Sequence, residues 1–393
     1  MNITTAQPRE ADTLTSPALL QTAIRMKAAP LRIRHLRLDG QGVPSRLTVD
    51  VDGCPVWYES ADVSLHARAE GMASAFLLPA MKAGRDLQIE GVSISPLWLE
   101  HARTLMAQFS AWWGYTPVAI SSDPAPRAAD LPEKRRTALF FTGGVDSFYS
   151  LLCPGEPIDD LVYVQGFDVG IDDLRRAEDT RQHLQQIADG TGHRLITVRT
   201  NLRTHPLIRG MNWIQEHGGA LASAAYTLPD VHRVLISASY TSPFQVPCGT
   251  HPATDTFWSN EQLTFVHQGA EAGRMDKLRG IADHPLVQRH LRVCWKNYGR
   301  RDNCCRCEKC LRTMLMLDLL GKLGPFEAFP LRQQLFRRAC GVSTIARPIV
   351  PIYRDLLLAH PRRLIRLAIR IMLLRSWLRS RKQAILRRFL HGD

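Results

Sequence analysis

The feature that most constrains this chain is a regular alternation of strand-like runs and helical patterns between residues 137 and 238. The strand-like runs cover residues 137–141, 161–167, 194–198 and 234–238. Each of the first three is followed by an amphipathic stretch of helical length. Because strands separated by helices pair in parallel, this order predicts an α/β fold, with a parallel sheet and helices on both faces. Ligands bind such sheets at the carboxyl ends of the strands, so we expect the site there.

The first of these strands leads directly into a glycine loop and then into a helix. The loop consists of Thr142, Gly143, Gly144, Val145, Asp146 and Ser147. Two glycines let a backbone approach an anion closely and adopt positive φ. N–H groups at a helix start attract phosphate oxygens, and the hydroxyls of Thr142 and Ser147 add donors. Asp146 is suited to hold a metal ion or to fix the loop. We therefore predict a phosphate site, with a plain strand–helix turn as the alternative.

Five of the nine cysteines fall within a short segment near residue 300. Four of them follow the pattern C-x9-C-x2-C-x2-C, which is typical of a closed tetrahedral zinc site: Cys294, Cys304, Cys307 and Cys310. Cys305 is expected to be a bystander. An iron–sulfur cluster stays open as the alternative, and zinc is preferred because nothing else in the sequence indicates redox chemistry. Clustered cysteines indicate a metal site rather than a disulfide framework. They therefore favour a reducing, cytoplasmic environment.

The net charge of +13 is concentrated at one end of the chain. Residues 331–393 contain 15 basic and two acidic residues, and the other 330 residues are balanced. The charge of the whole chain therefore says nothing about partners of its body. The overall composition, 45% hydrophobic and 22% charged, excludes a wholly disordered, collagen-like or rod-like chain.

The strand, glycine loop and Asp-Ser pair resemble the S-G-G-x-D-S loop of the PP-loop, or N-type, ATP pyrophosphatases. The resemblance implies an ATP-dependent ligase that cleaves ATP between the α- and β-phosphates, adenylates an acceptor oxygen and lets a nucleophile displace AMP. It also implies ATP as cosubstrate, with Mg²⁺ between the phosphates. Asp146 and Ser147 would be the catalytic residues of the loop.

Together, the loop and the downstream cysteines resemble the 7-cyano-7-deazaguanine synthase group of that superfamily, across about residues 137–320. In that group a carboxylate becomes a nitrile with ATP and ammonia. The resemblance places Asp168 near the nucleotide and brings Arg274 and Lys277 to the phosphates. The group's G-Y-P-D-C-R substrate segment is missing here, so we expect a different acceptor, a small molecule with a carboxylate or carbonyl. The corresponding segment here contains His251 and Asp255, in a Pro- and Gly-rich loop that could line a substrate pocket.

The remaining segments are assigned from local patterns. Residues 1–28 are polar and unpatterned, and residues 29–120 predict a small β-rich domain in which 75–78 is one strand. Residues 121–133, rich in Pro and Asp, predict a linker. Residues 134–325 form the predicted ATP-binding domain, and residues 326–393 a basic helical tail.

Several alternatives stay open for function and partners. A sulfur transferase of the same superfamily, acting on tRNA or a small molecule, would need a sulfur-carrying cysteine pair away from the zinc. Cys248 could be the nucleophile in such chemistry. A non-catalytic zinc scaffold is a third class. We expect the tail helix, with Arg362, Arg366 and Arg370 along one stripe, to contact an anionic partner, either RNA, a membrane surface or an acidic protein. We expect a cytoplasmic protein, peripheral to the membrane if the tail binds lipid. Homodimerisation stays open.

Overall fold

The structure is a computed structural model. It describes residues 28–40, 42–123, 135–241, 245–296, 302–342, 344–346 and 349–391, with side chains up to residue 383. The predicted loose segment at 1–28 lies almost wholly outside these residues. So does the predicted linker, except that its first three residues belong to a strand, Ile120–Asp123.

In the part of the chain that the structure describes, ten strands form one continuous sheet. They are β1 (Leu31–Asp39), β2 (Ser45–Val51), β3 (Cys54–Ser60), β4 (Leu87–Ser93), β5 (Ile120–Asp123), β6 (Arg136–Phe140), β7 (Asp160–Gln165), β8 (Arg194–Thr200), β9 (Val231–Ser237) and β10 (Thr264–Gln268). Their spatial order is β10-β9-β6-β7-β8-β3-β2-β1-β4-β5. The predicted α/β fold is confirmed by this sheet and its helical layers.

The described residues form twelve α-helices, which pack on the sheet or on one another. They are α1 (Ala69–Ala83), α2 (Pro96–Trp113), α3 (Val145–Leu152), α4 (Leu174–Thr191), α5 (Pro206–Arg209), α6 (Trp213–Ala225), α7 (Arg274–Ile281), α8 (Pro285–His290), α9 (Glu308–Leu319), α10 (Leu335–Gly341), α11 (Val350–Ala359) and α12 (Arg363–His391). In the described part of the chain, no helix is both long and apolar enough to cross a membrane.

Strands β6 to β10 form the parallel half of the sheet. Successive side chains in β6 and β7 point to opposite faces, and both faces are buried. Ala138 and Val162 belong to one hydrophobic core, while Leu139 and Leu161 belong to the other. This two-sided burial explains why these strands are near-continuous apolar runs in the sequence.

Strands β1 to β5 continue the same sheet, because β3 pairs antiparallel with β8 through Tyr58 and Thr200. Strands β1, β2 and β3 are antiparallel neighbours with one buried face. Leu47 and Val49 point into the core, and Arg46 on the other face lies over Trp57, 4.4 Å from the ring. The N-terminal strands thus extend the sheet of the parallel half.

The predicted strand at 75–78 is wrong, because these residues lie inside helix α1. Nearly every residue of α1 is buried, so the helix shows no polar face from which a helical period could be read. The helix ends at Gly84, whose φ of 62° satisfies a left-handed cap. Helix α1 packs against α6, and Gly71 allows close approach to the Ser223 carbonyl.

The C-terminal segment is helical and packs on the body. Ile365, Ile369 and Met372 of α12 are buried in the second core, among α10 and α11. The Ile345 N–H donates to Ser376 Oγ at 3.0 Å, and Arg362 pairs with Asp318 at 2.6 Å. Part of the apolar surface of α12 therefore serves the core of the protein.

Candidate functional site

The glycine loop lies at the carboxyl end of β6, where the sheet topology predicts a ligand site. Gly143 has φ of 70°, a conformation that glycine adopts without steric cost, and Gly144 precedes the first residue of α3. Ser147 Oγ accepts the Gly144 N–H at 3.1 Å and donates to the Gly144 carbonyl at 3.2 Å. The Ser147 hydroxyl therefore holds the loop. Val145 is buried, so only its backbone can face a ligand.

Two cations from α7 converge on Asp146 in the first turn of α3. Arg274 lies 3.0 Å from Asp146 Oδ2, and Lys277 Nζ lies 3.3 Å from Oδ1. Lys277 is buried and also donates to the Ala238 carbonyl at the end of β9, at 2.6 Å. Burial lowers the pKa of Lys277, against the opposing effect of the Asp146 carboxylate. The sequence-predicted Asp146, Arg274 and Lys277 thus form one cluster with an excess positive charge.

A second pair of cations, on α9, lies near the Asp146 cluster. Arg312 bonds Glu308 at 3.3 Å, and Glu308 also accepts the Tyr353 hydroxyl at 3.0 Å. Lys309 is solvent-accessible, yet the surrounding protein partly desolvates its ammonium, which together with the charge of Arg274 lowers its pKa. Lys309 also interacts electrostatically with Asp146. Four cations, Arg274, Lys277, Lys309 and Arg312, thus lie near the glycine loop, among the carboxylates of Asp146, Asp168 and Glu308.

Asp168 lies beyond the carboxyl end of β7, one strand from the glycine loop, and is exposed. It follows a tight turn in which Gly166 has φ of 105° and donates its N–H to the Val169 carbonyl at 2.9 Å. A Cβ at Gly166 would lie 2.0 Å from the Thr200 carbonyl oxygen, so this turn requires glycine. Asp168 contributes to the field at Lys309 and Arg203 but forms no direct contact with Asp146.

The four predicted cysteines come together at the start of α9. Their sulfurs all lie within 4.8 Å of one another and all four side chains are buried. Two pairs, Cys294–Cys307 and Cys304–Cys310, are each 3.9 Å apart. A tetrahedral ion with Zn–S bonds of about 2.3 Å spaces its sulfurs about 3.8 Å apart. The cluster could therefore hold a metal such as zinc, and Cys305 is not part of it.

The cysteine cluster and the glycine loop are joined through the chain between α8 and Cys294. The Arg292 N–H donates to the Gly143 carbonyl at 2.7 Å, two residues before the first cysteine. Asn303 holds both ends of this segment, accepting the Val293 N–H at 2.9 Å and donating to the Leu291 carbonyl at 2.6 Å. A short segment held by backbone hydrogen bonds thus connects the cluster with the loop.

Asp255, in the loop that could line a substrate pocket, is fully buried and accepts hydrogen bonds from its neighbours. One carboxylate oxygen accepts the His251 N–H at 3.0 Å, and the other lies 2.6 Å from His267 Nδ1. His267 is the member of this group that lines a pocket of about 530 Å³, together with His101 and Phe257. In the same strand, the Gln268 carbonyl accepts the Ala238 N–H. The Ala238 carbonyl in turn accepts a hydrogen bond from Lys277.

Sequence reasoning missed Lys309, Arg312 and His267. The first two are three apart in the segment that follows Cys307, and this spacing on one helix face is the signal that could have found them. His267 has no local signal, because its partner Asp255 is twelve residues away in a separate 3₁₀ turn. The comparison of this chain with family models, with curated proteins and with solved structures gives no significant match.

Proposed function

We propose that the protein is an ATP-dependent adenylating ligase, which releases pyrophosphate and AMP and joins a nitrogen nucleophile to a carboxylate or carbonyl acceptor. The observation that carries the proposal is the convergence of Arg274 and Lys277 on Asp146, at a glycine loop and helix start on the carboxyl edge of a parallel sheet. Loop geometry and cations together suit a polyphosphate better than a single small anion.

The nucleotide would lie with its phosphates over the loop. N–H groups in the first turn of α3 have no acceptor within the helix and would meet phosphate oxygens. Arg274 and Lys309 would neutralise the pyrophosphate as negative charge develops on it, which is the main requirement of such a reaction. Asp146 would exchange its contact with Arg274 for Mg²⁺, an ion that favours carboxylate oxygens and phosphates. Asp168, on the next strand, would face the nucleoside.

The protonation state of Cys248 favours a nitrogen nucleophile over a sulfur one. Its thiol donates to the Thr250 carbonyl at 2.9 Å, and burial raises its pKa to about 11. Because the thiolate is the reactive form, a sulfur-transfer role would need a depressed pKa. An external amine or ammonia needs no such group from the chain.

Zinc would have a structural role in this scheme. Four thiolates fill a tetrahedral shell, which leaves no position for substrate. The metal would fix the start of α9. It would thereby also fix the positions of Lys309 and Arg312 relative to the glycine loop.

The test is the identity of the products formed from ATP. Purified protein is incubated with Mg²⁺ and ATP, with ammonia and a panel of small carboxylates, and nucleotides are separated by chromatography. The proposal predicts AMP and pyrophosphate in equal amounts, dependent on the acceptor. ADP and phosphate as products would contradict it, and so would the absence of any ATP turnover across the panel.

A further inference from the structure

Helix α12 carries a second apolar row that the core does not use. Its buried side is formed by Ile365, Ala368, Ile369 and Met372. On the outward side a further row recurs in steps of three and four residues. We call it the outer stripe: Leu364, Leu367, Ile371, Leu374 and Leu378. Its four leucines are 65%, 46%, 56% and 52% exposed, in chain order, and Ile371 between them is partly buried.

Basic residues border the outer stripe. At about 100° per residue, Arg363 and Arg370 lie on one side of the stripe and Arg375 on the other. Arg381 and Lys382 continue the charge beyond Leu378, and no acidic residue occurs from 356 to 392. Trp377 is half exposed at the edge of the stripe, with the Arg381 guanidinium 4.4 Å from its ring centroid.

We propose that the outer stripe of α12 binds the surface of an anionic lipid bilayer, with the helix lying parallel to it. The leucines would enter the boundary between headgroups and acyl chains, while the arginines on both sides would meet lipid phosphates. A tryptophan at the edge of the stripe suits the same depth, because its ring is apolar and its N–H is polar.

The other occupants fit less well. A second copy of the helix would bring basic borders against basic borders, which repel each other in a helix pair. A nucleic acid would satisfy the arginines but would leave the row of leucines against phosphates.

The experiment measures co-sedimentation of full-length protein with vesicles at low salt. We expect binding to vesicles of phosphatidylcholine mixed with phosphatidylserine, weaker binding as salt rises, and little binding to phosphatidylcholine alone. The double variant Leu367→Ser/Leu374→Ser should weaken binding by about tenfold or more, because it removes apolar area and leaves every charge in place. The matched control is Leu174→Ser, at the start of α4, where the leucine is 63% exposed. It should bind as the wild type does.

Three results would overturn the proposal. The first is full-length protein that does not bind the anionic vesicles. The second is equal vesicle binding by the double serine variant and the wild type, with both folded by circular dichroism. The third is binding to single-stranded RNA or to polyglutamate, unchanged in the double variant, with none to vesicles.

Discussion

The two halves of the sheet bury their side chains in different ways, and only the parallel half carries the candidate site. In the N-terminal half, the antiparallel strands β1 to β3 have one buried face and one face of ion pairs such as Arg34–Asp50, 3.1 Å apart. In the parallel half both faces are covered by helices, and polar groups meet at the two ends of the strands. Arg136 and Arg194 pair with Asp160 at the amino edge, and the candidate site lies at the carboxyl edge. Asp146, Asp168 and the carbonyl of Ala238 all lie at that edge.

The two halves also differ in the hydrogen-bond partners of their buried ionisable groups. Lys277, which is buried beside the glycine loop, has a carboxylate and a carbonyl as hydrogen-bond partners. Glu216 of α6, which packs toward the N-terminal half, is 1% exposed, and neither of its carboxylate oxygens has a hydrogen-bond partner among the described residues. Burial raises the pKa of Glu216 well above its ordinary value. Lys277 is therefore a buried cation with two partners, whereas Glu216 is a buried acid without one and is favoured in its neutral form.

The largest effect should come from the cysteine cluster. Cys307→Ser should abolish zinc binding and unfold α9 to α12, since structural zinc contributes roughly 10–16 kcal/mol in small sites. Strands β1 to β4 lie in the other half of the sheet, so their amides should stay protected from exchange longer than those of α9 to α12. Elemental analysis, urea unfolding and hydrogen exchange would measure this.

The matched control for the cluster is Cys340→Ser, which removes a half-buried thiol outside it. That variant should keep about one zinc per chain and the stability of the wild type. Wild-type protein that is fully stable without any metal would contradict a structural role for the cluster.

Glu216→Gln should change how stability depends on pH. The folded protein holds the Glu216 proton to higher pH than the unfolded chain does, so the unfolded state ionises first above the ordinary pKa of 4.5. The free energy of unfolding of the wild type should therefore fall with rising pH, by up to about 1.4 kcal/mol per pH unit from this group. The fall ends where the folded carboxyl also ionises.

The glutamine variant should lack this component of the slope. The control Glu100→Gln, on the exposed face of α2, should keep it. Urea unfolding at several pH values from 4.5 upward would measure both. Identical slopes in the wild type and Glu216→Gln would mean that Glu216 is not buried as a neutral acid.

A smaller, matched pair of changes separates backbone strain from ligand binding. Gly143→Ala and Gly84→Ala both place a side chain at positive φ, 70° and 62°, and neither Cβ would meet an atom closer than 3.6 Å. Each should therefore lower the free energy of unfolding by about 1–2 kcal/mol. Only Gly143→Ala should also weaken ATP binding, as measured by calorimetry, because Gly84 is the cap of α1 and does not belong to the glycine loop. Equal ATP affinity in both variants would remove Gly143 from the site.

Local patterns in the sequence predicted the parallel strands, the loop and the cysteines, because each of these is encoded within a few neighbouring residues. They did not predict that β3 pairs with β8, a contact between residues 54–60 and 194–200 that no local period encodes. The short strand β10 was missed, since only two of its five residues, Phe265 and Val266, are apolar. In α12 the sequence could not separate Ile365, which packs inward, from Leu367, which faces solvent, because that depends on where α10 and α11 lie.

The central claim is that the cations of α7 bind the phosphates of ATP at the glycine loop. Its most direct test is the equilibrium dissociation constant of ATP with Mg²⁺, measured by titration calorimetry for the wild type, Arg274→Gln and Arg279→Gln. Both arginines lie on α7, but Arg274 faces Asp146 while Arg279 pairs with exposed Asp276 on the surface. Loss of a charged contact worth about 1.5–3 kcal/mol should weaken ATP binding by Arg274→Gln roughly 10- to 100-fold, with Arg279→Gln unchanged. Wild-type protein that does not bind ATP, or equal affinity in both variants, would contradict the claim.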